Sequence, residues 1–194
     1  MSDQHDPQIY GAWADLTTLQ AQSRQWQALS ATDLASFWRR CSLSADFWAN
    51  YTALFISQDP PTGQLPRSAM KDVLSYLLNE LFENCAKFSG GSIDSVRYEA
   101  LIGPEVLSFQ FTNHIVPERQ AAFEQFIHDI LTGDPDQLYF QRLEEQAESN
   151  AKGSGLGYLT LIKDYGVQFG FRFHRIAEAS VCVDVQAHVS RQEI

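Results

Sequence analysis

Basic residues are scarce in this chain: 14 Lys and Arg stand against 24 Asp and Glu over 194 residues, a formal net charge of −10. That balance excludes nucleic acid and anionic membrane surfaces as general partners, since binding them takes clustered cations. A single nucleotide is not excluded, because backbone amides and a metal ion can hold its phosphates. Cysteine is scarcer still. Cys41, Cys85 and Cys182 are odd in number and scattered, with no Cys-x-x-Cys or Cys/His spacing, so the sequence suggests neither a zinc site nor a disulfide framework. They read as reduced thiols of a cytoplasmic protein. No apolar run approaches the roughly 18 residues of a membrane span. The polar start, Met-Ser-Asp-Gln-His-Asp-Pro, shows no basic-then-apolar leader pattern. The chain also lacks the Gly-Lys-Ser/Thr ending of a P-loop and a glycine fingerprint opening a βαβ unit.

What is present is enough apolar material for a core: 44% hydrophobic residues and 12% aromatics. A chain of this length buries about 70% of the surface it would expose unfolded. Aromatics crowd residues 10–58, at Trp13, Trp26, Phe37, Trp38, Phe47, Trp48, Tyr51 and Phe55. Ser30 offers a helix start, and a second helix is expected from about Ser44, its aromatics packing on the core or a partner. The run Gln58-Asp59-Pro60-Pro61-Thr62-Gly63-Gln64-Leu65-Pro66 then breaks the chain. Residues 1–58 therefore form an aromatic-rich, helical N-terminal extension, packing on or continuous with the core and led by a loose tail over residues 1–9. Residues 59–194 form the main domain.

Within that domain, Arg67 to Phe88 reads as one amphipathic helix, with Met70, Val73, Leu74, Leu77 and Leu81 at spacings of three and four, ended by Ser89-Gly90-Gly91-Ser92. Strands are expected near Ser95–Ile102 and Glu105–Thr112, helices over 117–132 and 135–149, a short helix over Leu156–Tyr165, and strands near 168–176 and 180–189. The order predicts a layered α+β domain with a mostly antiparallel sheet.

Two segments carry candidate chemistry. Glu80 and Asn84 are four positions apart and share a helix face. There the amide oxygen is a hard ligand for Mg²⁺ and the carboxylate can orient or deprotonate a nucleophile. Gly153-Ser154-Gly155-Leu156-Gly157 is a glycine-rich turn that opens a helix, where backbone amides and the positive helix end can cradle phosphate.

Glu80-x-x-x-Asn84 followed by Ala86-Lys87-Phe88-Ser89 resembles the N-box of GHKL ATPases, in particular the anti-sigma-factor serine kinases, and the glycine turn resembles their second glycine box. Leu43-Ser44-Ala45-Asp46-Phe47 and Ser75-Tyr76-Leu77-Leu78-Asn79-Glu80-Leu81 further resemble the SiaB-type branch and related cyanobacterial regulators. The resemblance, over about residues 40–190, implies a two-layer α/β sandwich of the Bergerat type with a helical insert in the lid position. It implies ATP and Mg²⁺ as cofactors, Glu80 as the catalytic base, and Asn84 as the metal and phosphate contact. Lys87 would reach ribose or phosphate, and Gly153, Ser154, Gly155, Leu156 and Gly157 would bind the phosphate chain. The family's adenine-reading aspartate has no exact counterpart; Asn113 stands where it is expected, with no glycines after it, and its carbonyl oxygen can accept from the adenine amino group.

Glu144, Glu145 and Glu148 read as a solvated face, and His114 and His128, without a partner histidine at ligand spacing, as surface or structural residues. The expected function is a serine/threonine protein kinase acting on a small partner of STAS type in a partner-switching circuit. The alternative is a non-catalytic regulator that keeps the fold as an interaction module, its aromatic extension serving a homodimer or partner surface.

Overall fold

The computed structural model of the chain describes residues 6–90, 93–149, 155–177 and 179–192. Its elements run β1 (Gln8–Gly11), β2 (Ser23–Leu29), α1 (Ala31–Ser36), α2 (Arg39–Ala53), α3 (Arg67–Phe88), β3 (Val96–Ile102), β4 (Val106–Ile115), a 3-10 turn (Pro117–Arg119), α4 (Gln120–Thr132), α5 (Pro135–Ser149), α6 (Leu156–Tyr165), β5 (Gln168–Ala177) and β6 (Ser180–Ser190).

Local chemistry explains the helix starts. Ser30 caps α1 by accepting the Asp33 amide at 2.9 Å, and Asp94 accepts from both Ser30 Oγ and the Thr32 amide at 2.7 Å. The first turn of α1 is thereby pinned to the segment before β3. Along α3 the residues at helical period, from Met70 through Leu74, Leu77, Leu81 and Phe82 to Cys85, are all buried. One face of the helix lies on the sheet.

The six strands pair antiparallel throughout, in the order β1-β5-β6-β4-β3-β2. Period-two alternation sends Tyr98, Phe109, Phe111, Phe171 and Val185 to the inner face, under the helices. Phe82 meets Phe111 there edge-on, with ring centroids 4.8 Å apart, a favoured aromatic geometry. From α2, Trp48 packs on Tyr98 at 5.0 Å, and its indole N–H donates to Gln27 on β2 at 2.7 Å.

The main-domain elements fall close to expectation; the N-terminal segment does not. Its sequence predicts a helical segment, yet it also supplies β1 and β2, which occupy the two opposite edges of the sheet. The connection between them, residues 12–22, crosses the outer face as a strap. Gln186 of β6, fully buried, holds the strap by accepting the Ala14 amide at 2.9 Å and donating to the Ala14 carbonyl at 2.8 Å. His188 Nε2 lies 2.9 Å from the Ala12 carbonyl. Trp13 lies under the Arg172 guanidinium, 4.5 Å from ring centroid to Cζ. β1 and β2 thus belong to the same sheet as the strands of the main domain. Among the described residues no helix is long and apolar enough to cross a membrane.

Candidate functional site

α3 and α6 meet along a seam, faced on α3 by Tyr76, Glu80 and Asn84. Tyr76 hydrogen-bonds Thr160, Glu80 lies against Gly157, and the Asn84 amide is hydrogen-bonded to the Tyr158 hydroxyl. Gly157 is what lets the helices approach here. A Cβ at that position would overlap the Glu80 carboxyl group, so a larger residue would force the acid to move. Removal from water, reinforced by the neighbouring charge of Glu83, holds the Glu80 carboxyl above the usual carboxylate range, with Lys87 partly opposing the shift. Burial likewise drives the Tyr158 phenol far above its ordinary value. It is a neutral donor and acceptor at any working pH.

One turn further on, α3 opens onto a cavity of about 480 Å³. Asn84 and Tyr158 form its inner end, and Phe88, Ile115, Phe123 and Phe126 its apolar wall. Lys87, Glu118 and Arg119 stand at its edge, with Ala122 and Gly155 completing it. Phe123 is held edge-on to Phe171 and Phe173 of β5, so the wall is fixed to the sheet. Arg119 Nη1 donates to the Phe88 carbonyl at 3.2 Å, and the Lys87 ammonium lies 5.0 Å from the Phe88 ring centroid. Gly155, at φ +111°, takes a left-handed conformation just before α6, and a Cβ there would run into the Phe126 ring. Glycine is required on both counts.

The structure brings some of the expected residues together and separates others. Asn84, Lys87 and Gly155 border one cavity. Glu80, Gly157 and Leu156 do not line it: Glu80 and Gly157 belong to the seam beside it, and Leu156 sits half-buried at the start of α6. Asn113 is buried on the inner face of β4, where its Nδ2 donates to Ser89 Oγ at 3.2 Å. It lines an adjoining void of about 20 Å³ that shares Asn84, Phe88, Phe123 and Tyr158 with the main cavity. Such a void admits about one water, and Asn113 is not among the residues that line the main cavity. Gly153 and Ser154 lie outside the described residues.

Sequence reasoning missed the whole apolar wall. Phe123 and Phe126, three apart on α4, carry the same periodic signal as core residues, and only the fold shows that they face a space.

The fold is similar to that of a chain in the crystal structure of the SiaB–SiaC complex from Pseudomonas aeruginosa, with a TM-score of 0.50. The likeness covers 84% of this chain and 89% of that one, at 11% sequence identity. At that identity it is a likeness of fold. No family model matches the sequence, and no curated protein matches it.

Proposed function

We propose that this chain is a regulatory protein that holds Mg²⁺-ATP in the Asn84 cavity and works through a small protein partner. The observation that carries the reading is the cavity itself. Its volume of about 480 Å³ falls within the roughly 300–1,000 Å³ of small-molecule sites. An aromatic wall suits the faces of a purine, Asn84 offers an amide oxygen to a hydrated Mg²⁺, and Lys87 and Arg119 stand at the edge where phosphates would emerge. The resemblance of the α3 and α6 sequences to GHKL ATPases supports the same assignment. For the partner, the support is that the similar chain was solved as part of a SiaB–SiaC complex. The exposed aromatics of the α1–α2 segment, Phe37 and Trp38 with Phe47 stacked on Tyr51, add to it, since exposed aromatics are enriched at interaction surfaces; a STAS-type domain or a second copy of the chain would suit them. Titration with a fluorescent ATP analogue tests the reading. The wild type binds with Mg²⁺ present, and Ala122→Trp, which fills the cavity from an exposed position, abolishes binding. A wild type that does not bind, or a variant that binds as well, refutes it.

A second reading, serine/threonine phosphoryl transfer, is favoured by Glu80, whose raised pKa suits a general base. Its place against Gly157, away from the cavity lining, favours holding the nucleotide over transferring its phosphate. Incubation of labelled ATP with a candidate partner separates the two, because transfer abolished by Glu80→Ala establishes the kinase.

A further inference from the structure

The outer face of the sheet carries a row of side chains that the nucleotide reading leaves unused. Register pairs Cys182 of β6 with His174 of β5 on one side and with His114 of β4 on the other. Neighbouring strands lie about 4.8 Å apart, so the three residues stand abreast on one face. Asp184, two residues along β6, projects from the same face. Among the described residues, His174, Cys182 and Asp184 form the one group of potential metal ligands whose donor atoms all lie within 4.8 Å of one another. Cys182 and Asp184 are buried, and His174 is half-exposed. The cluster is anchored in the sheet and reached from solvent past the imidazole.

We propose that His174, Cys182 and Asp184 bind a zinc ion, with water or His114 as the fourth ligand. A thiolate, an imidazole and a carboxylate together select zinc over Mg²⁺ or Ca²⁺, which take oxygen shells. Bonds of about 2.0–2.3 Å put the ligand atoms of a tetrahedral zinc roughly 3–4 Å apart, so closure requires rotamer adjustments of about 1 Å. The surroundings already orient the ligands. Asp184 Oδ2 accepts Arg172 Nε at 2.9 Å and Nη2 at 2.7 Å, and Oδ1 accepts from Thr112. Gln110 Nε2 also donates to Oδ1, at 3.4 Å, so four bonds fill the roughly four lone-pair directions of the carboxylate, and a metal takes the place of the longest of them. His114 Nδ1 lies 3.3 Å from the Ser95 carbonyl. That partner only accepts, so this nitrogen carries the proton and Nε2 keeps its lone pair. On binding, the Cys182 S–H bond breaks, sulfur keeps the electron pair as a zinc–thiolate bond, and the proton leaves to solvent. The chain shows no metal-ligand spacing because the ligands come from adjacent strands, where register sets proximity.

Titration of the untagged full chain with Co²⁺, zinc's spectroscopic stand-in, tests the site. One equivalent should produce a near-ultraviolet thiolate-to-cobalt absorption that Zn²⁺ bleaches. Cys182→Ser should lose that band and Cys41→Ser should keep it. His174→Gln, at a half-exposed position that leaves folding intact, should weaken binding about tenfold or more. No thiolate band, a band that survives Cys182→Ser, a band that Zn²⁺ fails to bleach, or unchanged affinity in His174→Gln would each overturn the proposal.

Discussion

Glu80 shows how far a single residue can be read before its neighbours are known. The sequence places it on one helix face with Asn84, and the structure agrees. Periodicity names a face, though, not what packs on it, and what packs on Glu80 is Gly157. The consequence is a titration. Because the folded-state pKa of Glu80 is raised, the fold favours its protonated form. The associated stability is fully present below the unfolded value of about 4.3 and is lost as pH rises through the folded value. Glu80→Gln should therefore raise Tm at pH 7, with the gain shrinking toward zero as the pH falls below about 4. Thermal melts across that range check the sign; a variant less stable than wild type at pH 7 contradicts it. Gly155→Ala should cost about 1–3 kcal/mol in urea denaturation, the usual strain of a side chain in a left-handed conformation, with the Phe126 ring in its way.

At the scale of elements, legibility followed the strength of the apolar pattern. β4 to β6 alternate apolar and other residues over most of their length, and α3 carries more than four turns of apolar period. β2 reads Ser23-Arg24-Gln25-Trp26-Gln27-Ala28-Leu29, too polar to announce a strand; pairing with β3 makes it one. β6 alternates apolar and polar residues as a half-buried strand should, yet Asp184 and Gln186 are buried as well. The strap accounts for Gln186, and no local pattern in residues 12–22 declares that they will cover a sheet. Gln186→Ala tests that account. It removes partners from both Ala14 backbone groups and from Gln110, and should cost about 1–3 kcal/mol. Hydrogen exchange should quicken selectively over residues 12–22. Uniform acceleration across the sheet would mean that the strap is not held by this side chain.

For the molecule as a whole, a net charge of −10 would repel ATP at long range, so under the proposed function the local placement of Lys87 and Arg119 and the aromatic wall would have to supply the attraction. This part of the site was half legible: the polar residues stand out in the sequence, while the wall is assembled from α3, β4 and α4 by tertiary packing alone. The central claim is that a nucleotide sits against Asn84. Isothermal titration of the full chain with Mg²⁺-ATP, in parallel for wild type and Asn84→Ala, tests it most directly. One ATP per chain is expected for the wild type. The variant should bind about tenfold or more weakly, since a hydrogen bond to a charged group contributes about 1.5–3 kcal/mol and about 1.4 kcal/mol is a factor of ten. No heat of binding in the wild type, or equal affinity in the two proteins, would contradict the account.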